Sequence, residues 1–314
     1  MQSSRYFGWS SVFPHTIMKK ICIGIITIFG FTPVFTLSSA LQEPGWVQRL
    51  KYMPNEIHPI KLALNNIPLV TVKINETPIE IFFDTGNSHG LGLTTDIEGK
   101  IVYKVIKTIR STWPDGTYRG ESRIITISSL DVFGDVHKNV EVVLSDWKMY
   151  SSLRFNGMLG LKYFRNKRVT LDYKNKKIAV SENPLFNTAL QNSHDVIVAP
   201  LNPPERHRDL IYLIGKVNGQ ETVIYLDTGS SASFIDPRML DKNDIIRENR
   251  QSITKDIKFS INSFDFVVSR MRVKELRRGM NFKYPVHARL GSDVLKDFLI
   301  TIDKITNRII FHKD

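Results

Sequence analysis

Two stretches of this sequence carry the same signal: Ile79-Glu80-Ile81-Phe82-Phe83-Asp84-Thr85-Gly86 and Val223-Ile224-Tyr225-Leu226-Asp227-Thr228-Gly229. In each, a mostly apolar run typical of a buried strand ends at an aspartate that is followed by threonine and glycine. A carboxylate directly after a buried strand is a costly placement, because burying a charge costs several kcal/mol unless the charge is paired or shared. The placement therefore indicates a function for both aspartates.

The sequence around the two aspartates repeats as well. The aspartates are 143 positions apart, and both copies read as strand, Asp-Thr-Gly turn, long middle, Leu-Gly and a closing hairpin. The corresponding positions are Lys73 with Lys216, Asn75 with Asn218, Gly160 with Gly291, and Asp172 with Asp303. Self-similarity in a chain of this length indicates duplication of one folding unit.

The length and composition are those of a globular protein with two domains. The chain has 314 residues, of which 42% are hydrophobic and 24% charged. From residue 60 onward short strand patterns with turn signals predominate, and helical periodicity is scarce. We predict an all-β fold with an N-terminal unit over residues 41–186 and a C-terminal unit over residues 187–314.

Residues 1–40 differ from the rest of the chain. Lys19 and Lys20 precede an uncharged run, residues 21–41, in which Ser38 and Ala40 are small residues at the spacing of a signal-peptidase site. This pattern predicts a secretory signal peptide and hence an exported protein, periplasmic or secreted. A run of this length can also span a bilayer, so an uncleaved membrane anchor remains the alternative.

Composition limits the other function classes. The only cysteine, Cys22, lies in the leader, so the mature chain would have neither disulfides nor thiol chemistry. Eight histidines without metal-ligand spacing predict no metal and no cofactor. The net charge of +12 indicates a solvated basic face, with attraction to anionic lipid or wall polymer as the alternative. No recognition motif accompanies the charge, so we expect no nucleic-acid partner.

A pair of aspartates can hydrolyse a peptide bond without a covalent intermediate. Two carboxyls about 3 Å apart cannot both ionise, so they share one proton. The ionised carboxyl takes a proton from water, and the protonated one donates to the carbonyl oxygen. Gly86 and Gly229 would let the backbones approach, and Thr85 and Thr228 could hydrogen-bond between the loops. Because a duplicated chain supplies both carboxyls, we expect a monomer.

The motifs resemble those of the aspartic proteases of the pepsin and retropepsin superfamily over residues 60–314. The resemblance implies a two-lobed, all-β fold like two fused retropepsin units, and endopeptidase activity on peptide or protein substrates in a cleft between the lobes. It also implies roles for particular residues: Asp84 and Asp227 as the catalytic dyad, Thr85 and Thr228 as the contact between the loops, Gly86 and Gly229 as loop support, and Ser230 as a hydrogen-bond donor to the carboxyl.

The sequence departs from the family pattern at two positions and suggests one further element. Asn87 stands where the family usually has Ser, Thr or Ala, and Arg289 occupies a place that is usually apolar. Residues 109–127 predict a hairpin around Pro-Asp-Gly, at the place of the family's flap. Trp113 or Tyr118 would be the flap aromatic, and an ordinary hairpin with surface aromatics is the alternative.

Two other functions remain open from the sequence. A duplicated fold without catalysis could bind peptides or wall polymer in the cleft, and an uncleaved N-terminus could make the protein a membrane-anchored regulatory protease. For the enzyme we expect a pH optimum of roughly 4 to 7, because a chain this basic would repel itself strongly in strong acid.

Overall fold

The computed structural model describes residues 43–112, 118–146, 155–183, 196–202, 208–262, 264–276 and 286–312. All of these belong to one unit, Glu43–Asp314, and the other unit, Met1–Gln42, lies outside the described residues together with the predicted signal peptide or anchor. Within the described residues, no helix is both long enough and apolar enough to span a bilayer.

The described chain consists mainly of β-strands, so the predicted all-β class is confirmed. The strands of the first half are β1 (Ile57–Pro59), β2 (Lys61–Ala63), β3 (Ile67–Ile74), β4 (Thr77–Phe83), β5 (Leu91–Thr94), β6 (Lys104–Thr112), β7 (Tyr118–Val132), β8 (Asp135–Ser145), β9 (Gly157–Leu159), β10 (Arg168–Asp172) and β11 (Lys177–Ser181). The strands of the second half are β12 (Val196–Pro200), β13 (Ile211–Val217), β14 (Gln220–Asp227), β15 (Phe234–Ile235), β16 (Ile245–Glu248), β17 (Gln251–Thr254), β18 (Ile257–Ile261), β19 (Phe264–Val268), β20 (Arg272–Val273), β21 (Val286–Gly291), β22 (Leu299–Asp303) and β23 (Arg308–His312).

Helices are few and short in the described ranges. The α-helices are α1 (Gly45–Arg49) and α2 (Ser292–Leu295). Single 3₁₀ turns cover Pro54–Glu56, Thr95–Ile97, Leu161–Phe164, Pro237–Met239 and Lys242–Asp244.

The first sheet has eight strands in the order β2-β3-β4-β9-β5-β8-β7-β6. Its β3–β4 hairpin turns at Asn75 and Glu76, both in the left-handed region with φ of 49° and 64°, as a two-residue hairpin turn requires. Strand β4 pairs in parallel with β9, and Phe83 lies opposite Leu159. The chain therefore leaves the sheet at Asp84 beside the Leu-Gly motif.

The second sheet repeats this arrangement with nine strands in the order β16-β17-β20-β15-β21-β14-β13-β18-β19. An Asn-Gly turn joins β13 and β14, with φ of 48° at Asn218 and 82° at Gly219. Strand β14 pairs in parallel with β21, and Asp227 lies opposite Gly291. The two aspartates thus have equivalent positions in the two sheets.

The third sheet combines the closing hairpins of both repeats in the order β1-β11-β10-β22-β23-β12. Strands β10 and β22 run antiparallel with Thr170 opposite Thr301, and the two hydroxyls are 2.7 Å apart. These threonines are equivalent positions of the repeat, so a local twofold axis passes between them. Both strands are buried along their whole length, and residues of α1 such as Trp46 cover part of the sheet.

The boundary between the predicted units stays a prediction. It was placed after residue 186, and residues 184–195 lie outside the described ranges. The third sheet takes strands from both sides of that boundary, so contacts cross it along the length of β10 and β22.

Candidate active site

The two aspartates lie together in a buried position. Asp84 is 7% and Asp227 9% exposed, and a side-chain hydrogen bond joins their carboxyls. A hydrogen bond between two carboxyls requires a proton on one of them, so the pair holds one proton and one charge. The structure thus brings together the two aspartates that the sequence predicts to meet.

Reciprocal hydrogen bonds between the two loops hold the aspartates in register. The Thr85 amide donates to the Thr228 hydroxyl at 3.0 Å, and the Thr228 amide donates to the Thr85 hydroxyl at 3.0 Å. Each hydroxyl then donates to a strand of the other repeat, Thr85 to the Leu226 carbonyl at 3.0 Å and Thr228 to the Phe83 carbonyl at 2.7 Å. All donors and acceptors in this buried contact are satisfied, which makes it rigid.

Glycine is required next to each threonine because the opposite carboxyl comes so close. A β-carbon at Gly229 would lie 2.3 Å from Cγ of Asp84, and one at Gly86 would lie 2.7 Å from Oδ1 of Asp227. The Gly86 amide also donates to Oδ1 of Asp84 at 2.7 Å. These glycines therefore make the close approach of the carboxyls possible.

The Leu-Gly motifs support the loops from behind in the same way. A β-carbon at Gly160 would lie 2.1 Å from the Asn87 carbonyl oxygen, and one at Gly291 would lie 2.6 Å from the Ser230 carbonyl oxygen. Asn87 and Ser230 are themselves equivalent positions of the repeat, 143 residues apart. The spacing found in the sequence thus reflects a packing contact that occurs twice.

Burial and mutual repulsion set the charge state of the pair. Burial, followed by the Asp227 charge, raises the pKa of Asp84 well above its usual value. Burial also raises the pKa of Asp227, and the Arg289 guanidinium together with the Asp84 hydrogen bond opposes that rise. Asp84 is therefore the carboxyl that holds the shared proton, and Asp227 the one that carries the charge.

Arg289, noted in the sequence as unusual, contacts the pair directly. Its Nη1 lies 3.4 Å from Oδ2 of Asp227, and its Cζ lies 4.3 Å from the centre of the Phe234 ring. The Nε of Arg289 is buried and has no hydrogen-bond partner in the described part of the chain. The pair thus has a cation beside it, at a position where the family resemblance predicts an apolar side chain.

One expectation for the loops needs correction, and the position of Asn87 can now be described. The Ser230 hydroxyl does not reach a carboxyl, because it donates to the Ala232 carbonyl at 2.7 Å, and the contact of Ser230 with Asp227 is through its backbone amide. The Asn87 side chain does not hydrogen-bond the Asp84 carboxyl either, and its backbone amide donates to the Asp84 main-chain carbonyl at 3.1 Å. The side-chain amide of Asn87 donates to the Met158 carbonyl at 3.0 Å and ties the loop to β9.

The predicted flap is described in part. Strands β6 and β7 form the expected hairpin, but Trp113 and the rest of its turn, residues 113–117, lie outside the described residues. Tyr118 is 55% exposed, lies 4.9 Å from the guanidinium of Arg110, and is not among the residues that line the cavity around the aspartates. A role for Tyr118 at the site therefore has no support in its position.

A cavity of about 380 Å³ opens over the pair. It is lined by both aspartates, by apolar residues of the first sheet, and by Phe234, Arg272 and Arg289 of the second. Among the described residues, no cluster of three or more His, Cys, Asp or Glu side chains could hold a metal ion. The ionisable groups that line this cleft, in the part of the chain that the structure describes, are therefore two carboxyls and two guanidinium groups.

Three residues at or beside the site had not been singled out from the sequence. Phe234 and Arg272 line the cavity, and the Tyr225 hydroxyl would lie 2.8 Å from a β-carbon at Gly86. Arg272 lies in a basic stretch, residues 270–278, which the charge pattern alone would assign to the solvated basic face. A usable signal was present for Tyr225, which replaces the Phe82 of the first copy at the same place before the Asp-Thr-Gly turn.

No protein-family model matches the sequence, and no curated protein matches it.

Proposed function

We propose that this protein is an aspartic endopeptidase, in which Asp84 and Asp227 activate water against a peptide bond. The observation that carries the proposal is the buried, hydrogen-bonded pair of carboxyls in an open cleft, held by reciprocal threonine contacts. Ion pairs that serve stability alone join opposite charges, whereas two like groups held together at a cost point to catalysis. The proposal includes a two-lobed fold, in which the first and second sheets are the lobes and the third lies beneath both.

The chemistry follows from the charge states. Water bound between the carboxyls gives a proton to ionised Asp227, and its oxygen attacks the peptide carbonyl carbon. Asp84 gives its proton to the carbonyl oxygen, so a neutral tetrahedral diol forms and the pair still holds one proton. The C–N bond then breaks as the leaving nitrogen takes a proton from Asp227, and a diol hydroxyl returns one to Asp84.

The remaining parts of the proposal concern the setting of the enzyme. We propose a monomer that is exported, either freed by cleavage after Ala40 or anchored by residues 21–41, and that acts on peptides or proteins without a metal or cofactor. The mass of the mature N-terminus distinguishes cleavage from anchoring.

Cleavage of a peptide library tests the proposal. We expect new peptide ends, detected by mass spectrometry, between about pH 3 and 8, with an optimum of roughly 4 to 7. A peptide with statine at the cleaved position should inhibit, because its hydroxyl takes the place of the attacking water. The matched control is the same peptide without that hydroxyl, which should inhibit far less. Tight binding of peptides without any product would instead indicate a binding protein.

The pH profile should respond to Arg289 in a defined direction. Arg289 opposes the rise in the pKa of Asp227, so Arg289→Gln should raise that pKa further. Asp227 must be ionised to act, so the acid limb of kcat/KM should move to higher pH. The shift should be limited because Arg289 is partly exposed and solvent screens its charge.

The control for this prediction is Arg247→Gln, which removes an exposed arginine of β16. Its acid limb should coincide with that of the unaltered protein, because Arg247 does not line the cavity. An acid limb that stays in place in Arg289→Gln, or moves to lower pH, would contradict the assignment of Asp227 as the charged member.

A further inference from the structure

Three residues on neighbouring strands form one wall of the cleft. Phe234 on β15 lies opposite Arg272 on β20 and opposite Arg289 on β21. Residues directly opposite each other in a sheet project from the same face. The guanidinium carbons of Arg272 and Arg289 lie 6.0 and 4.3 Å from the centre of the Phe234 ring. The register of the second sheet thus holds two cations on one ring; we call these three residues the arginine wall.

The positive charge of the arginine wall exceeds the negative charge of the two aspartates. The pair shares a proton and contributes one negative charge, whereas the arginine wall contributes two positive charges. Among the described residues, no other charged side chain lines the cavity. In the described ranges no carboxylate pairs with the Arg272 side chain, and Arg289 makes one long contact, 3.4 Å, with Asp227. Within the described part of the chain, the wall therefore has one positive charge in excess and N–H donors without a partner.

The opposite side of the cleft, formed by residues of the first repeat, is apolar. Phe82 and Phe155 stack with ring centres 4.9 Å apart, and Ile67 and Met158 pack with them. Met158 and Arg289 each lie two residues before the glycine of their Leu-Gly motif, so the repeat places a thioether on one side and a guanidinium on the other. The cleft is therefore apolar on one side of the aspartates and cationic on the other.

We propose that the arginine wall binds a carboxylate of the substrate next to the scissile bond, so that the enzyme selects acidic peptides. The inference rests on the proposed function and adds a substrate class to it. Two guanidinium groups can bind one carboxylate through several charge-assisted hydrogen bonds, which are stronger than neutral ones. The carboxylate can come from a Glu or Asp side chain or from the C-terminus of the peptide.

Matched peptides separate these possibilities. Variants of a good library substrate carry either Glu or Gln at one of the two positions that flank the cleaved bond. Every variant is made once with a free and once with an amidated C-terminus. We expect Glu at one flanking position to raise kcat/KM by about tenfold to a hundredfold over Gln. Preference for the free C-terminus alone would assign the wall to the chain end, as in a carboxypeptidase.

Arginine variants test whether the wall causes the preference. Arg272 does not contact the dyad, so Arg272→Gln should lower kcat/KM for the Glu peptide more than for the Gln peptide. Arg272→Glu should reverse the order and favour a Lys peptide at that position. The control, Arg247→Gln, should keep the preference unchanged, since it removes the same charge from an exposed position outside the cleft.

Binding to the Asp84→Asn variant keeps the two proposals separable. Asn has the shape and neutrality of protonated Asp84, so the charge of the cleft is unchanged, and fluorescence anisotropy can compare the same peptides without turnover. Cleavage with no preference for a carboxylate, or a preference that Arg272→Glu leaves intact, would overturn the inference alone. Carboxylate-selective binding by a protein that cleaves nothing would support the wall and overturn the enzyme. Unselective binding without cleavage would overturn both.

Discussion

The Asp84→Asn and Asp227→Asn variants are each expected to lose peptidase activity by about 10⁴-fold or more. The reaction needs one proton and one negative charge on the pair, and an amide supplies neither an acidic proton nor a base. Asparagine keeps the size and the hydrogen-bonding oxygen of aspartate, so the loops should stay in place. The measurement is kcat/KM on the best library peptide, together with the melting temperature of each variant.

The two variants should differ in stability although both lose activity. Asp84→Asn replaces the neutral member of the pair, so the melting temperature should change little. Asp227→Asn removes the charge that faces Arg289, which leaves a partly buried guanidinium without its counter-ion and should lower the melting temperature. Asp96→Asn, at an exposed carboxyl, is the control and should retain full activity. Turnover that survives in either dyad variant would end the protease proposal.

The fold could be read from the sequence to the extent that its signals were local or repeated. The turns at Asn75 and Asn218 follow from residues that tolerate positive φ, and the strands on either side follow from apolar runs. The constant spacing of 143 residues showed that the Asp-Thr-Gly turns of the two copies are equivalent, although a single Asp-Thr-Gly would not have identified a site. The comparison of equivalent positions in the two copies could not show that Thr170 and Thr301 meet. Pairing between hairpins that are distant in the sequence depends on the packing of the whole chain.

The candidate site was predictable where the repeat determines it and less so elsewhere. The contact of Thr85 with Thr228 was expected, since equivalent residues meet near a twofold axis. The hydroxyl of Ser230 was assigned wrongly because its nearest acceptor is the Ala232 carbonyl, which sequence spacing does not reveal. The arginine wall was missed because Arg272 and Arg289 are 17 residues apart in the sequence. They become neighbours only because β20 and β21 both pair with β15 at Phe234.

Gly229→Ala is expected to reduce kcat/KM by about a hundredfold or more without touching a catalytic group. The added β-carbon would lie 2.3 Å from Cγ of Asp84, well inside any real carbon–carbon contact. Neither partner can yield easily, because Thr228 and Thr85 beside them are bound to each other on both amide and hydroxyl. The Asp84 carboxyl must therefore shift, and a displacement of about 1 Å at a reacting group costs on the order of a hundredfold. Both kcat/KM and the melting temperature should decrease, because overpacking a buried contact lowers the free energy of unfolding by about 1 to 3 kcal/mol.

Comparison with two other glycines makes this prediction specific. In Gly86→Ala the nearest atoms, Oδ1 of Asp227 and the Tyr225 hydroxyl, lie 2.7 and 2.8 Å from the new carbon, so its loss of activity should be smaller. In Gly45→Ala nothing lies within 4 Å, and the substitution in α1 should leave kinetics unchanged and favour the helix slightly. The expected order of loss is Gly229, then Gly86, then Gly45. Full activity in Gly229→Ala would show that the carboxyls are farther apart in the working protein than this contact allows, and that the pair does not share a proton.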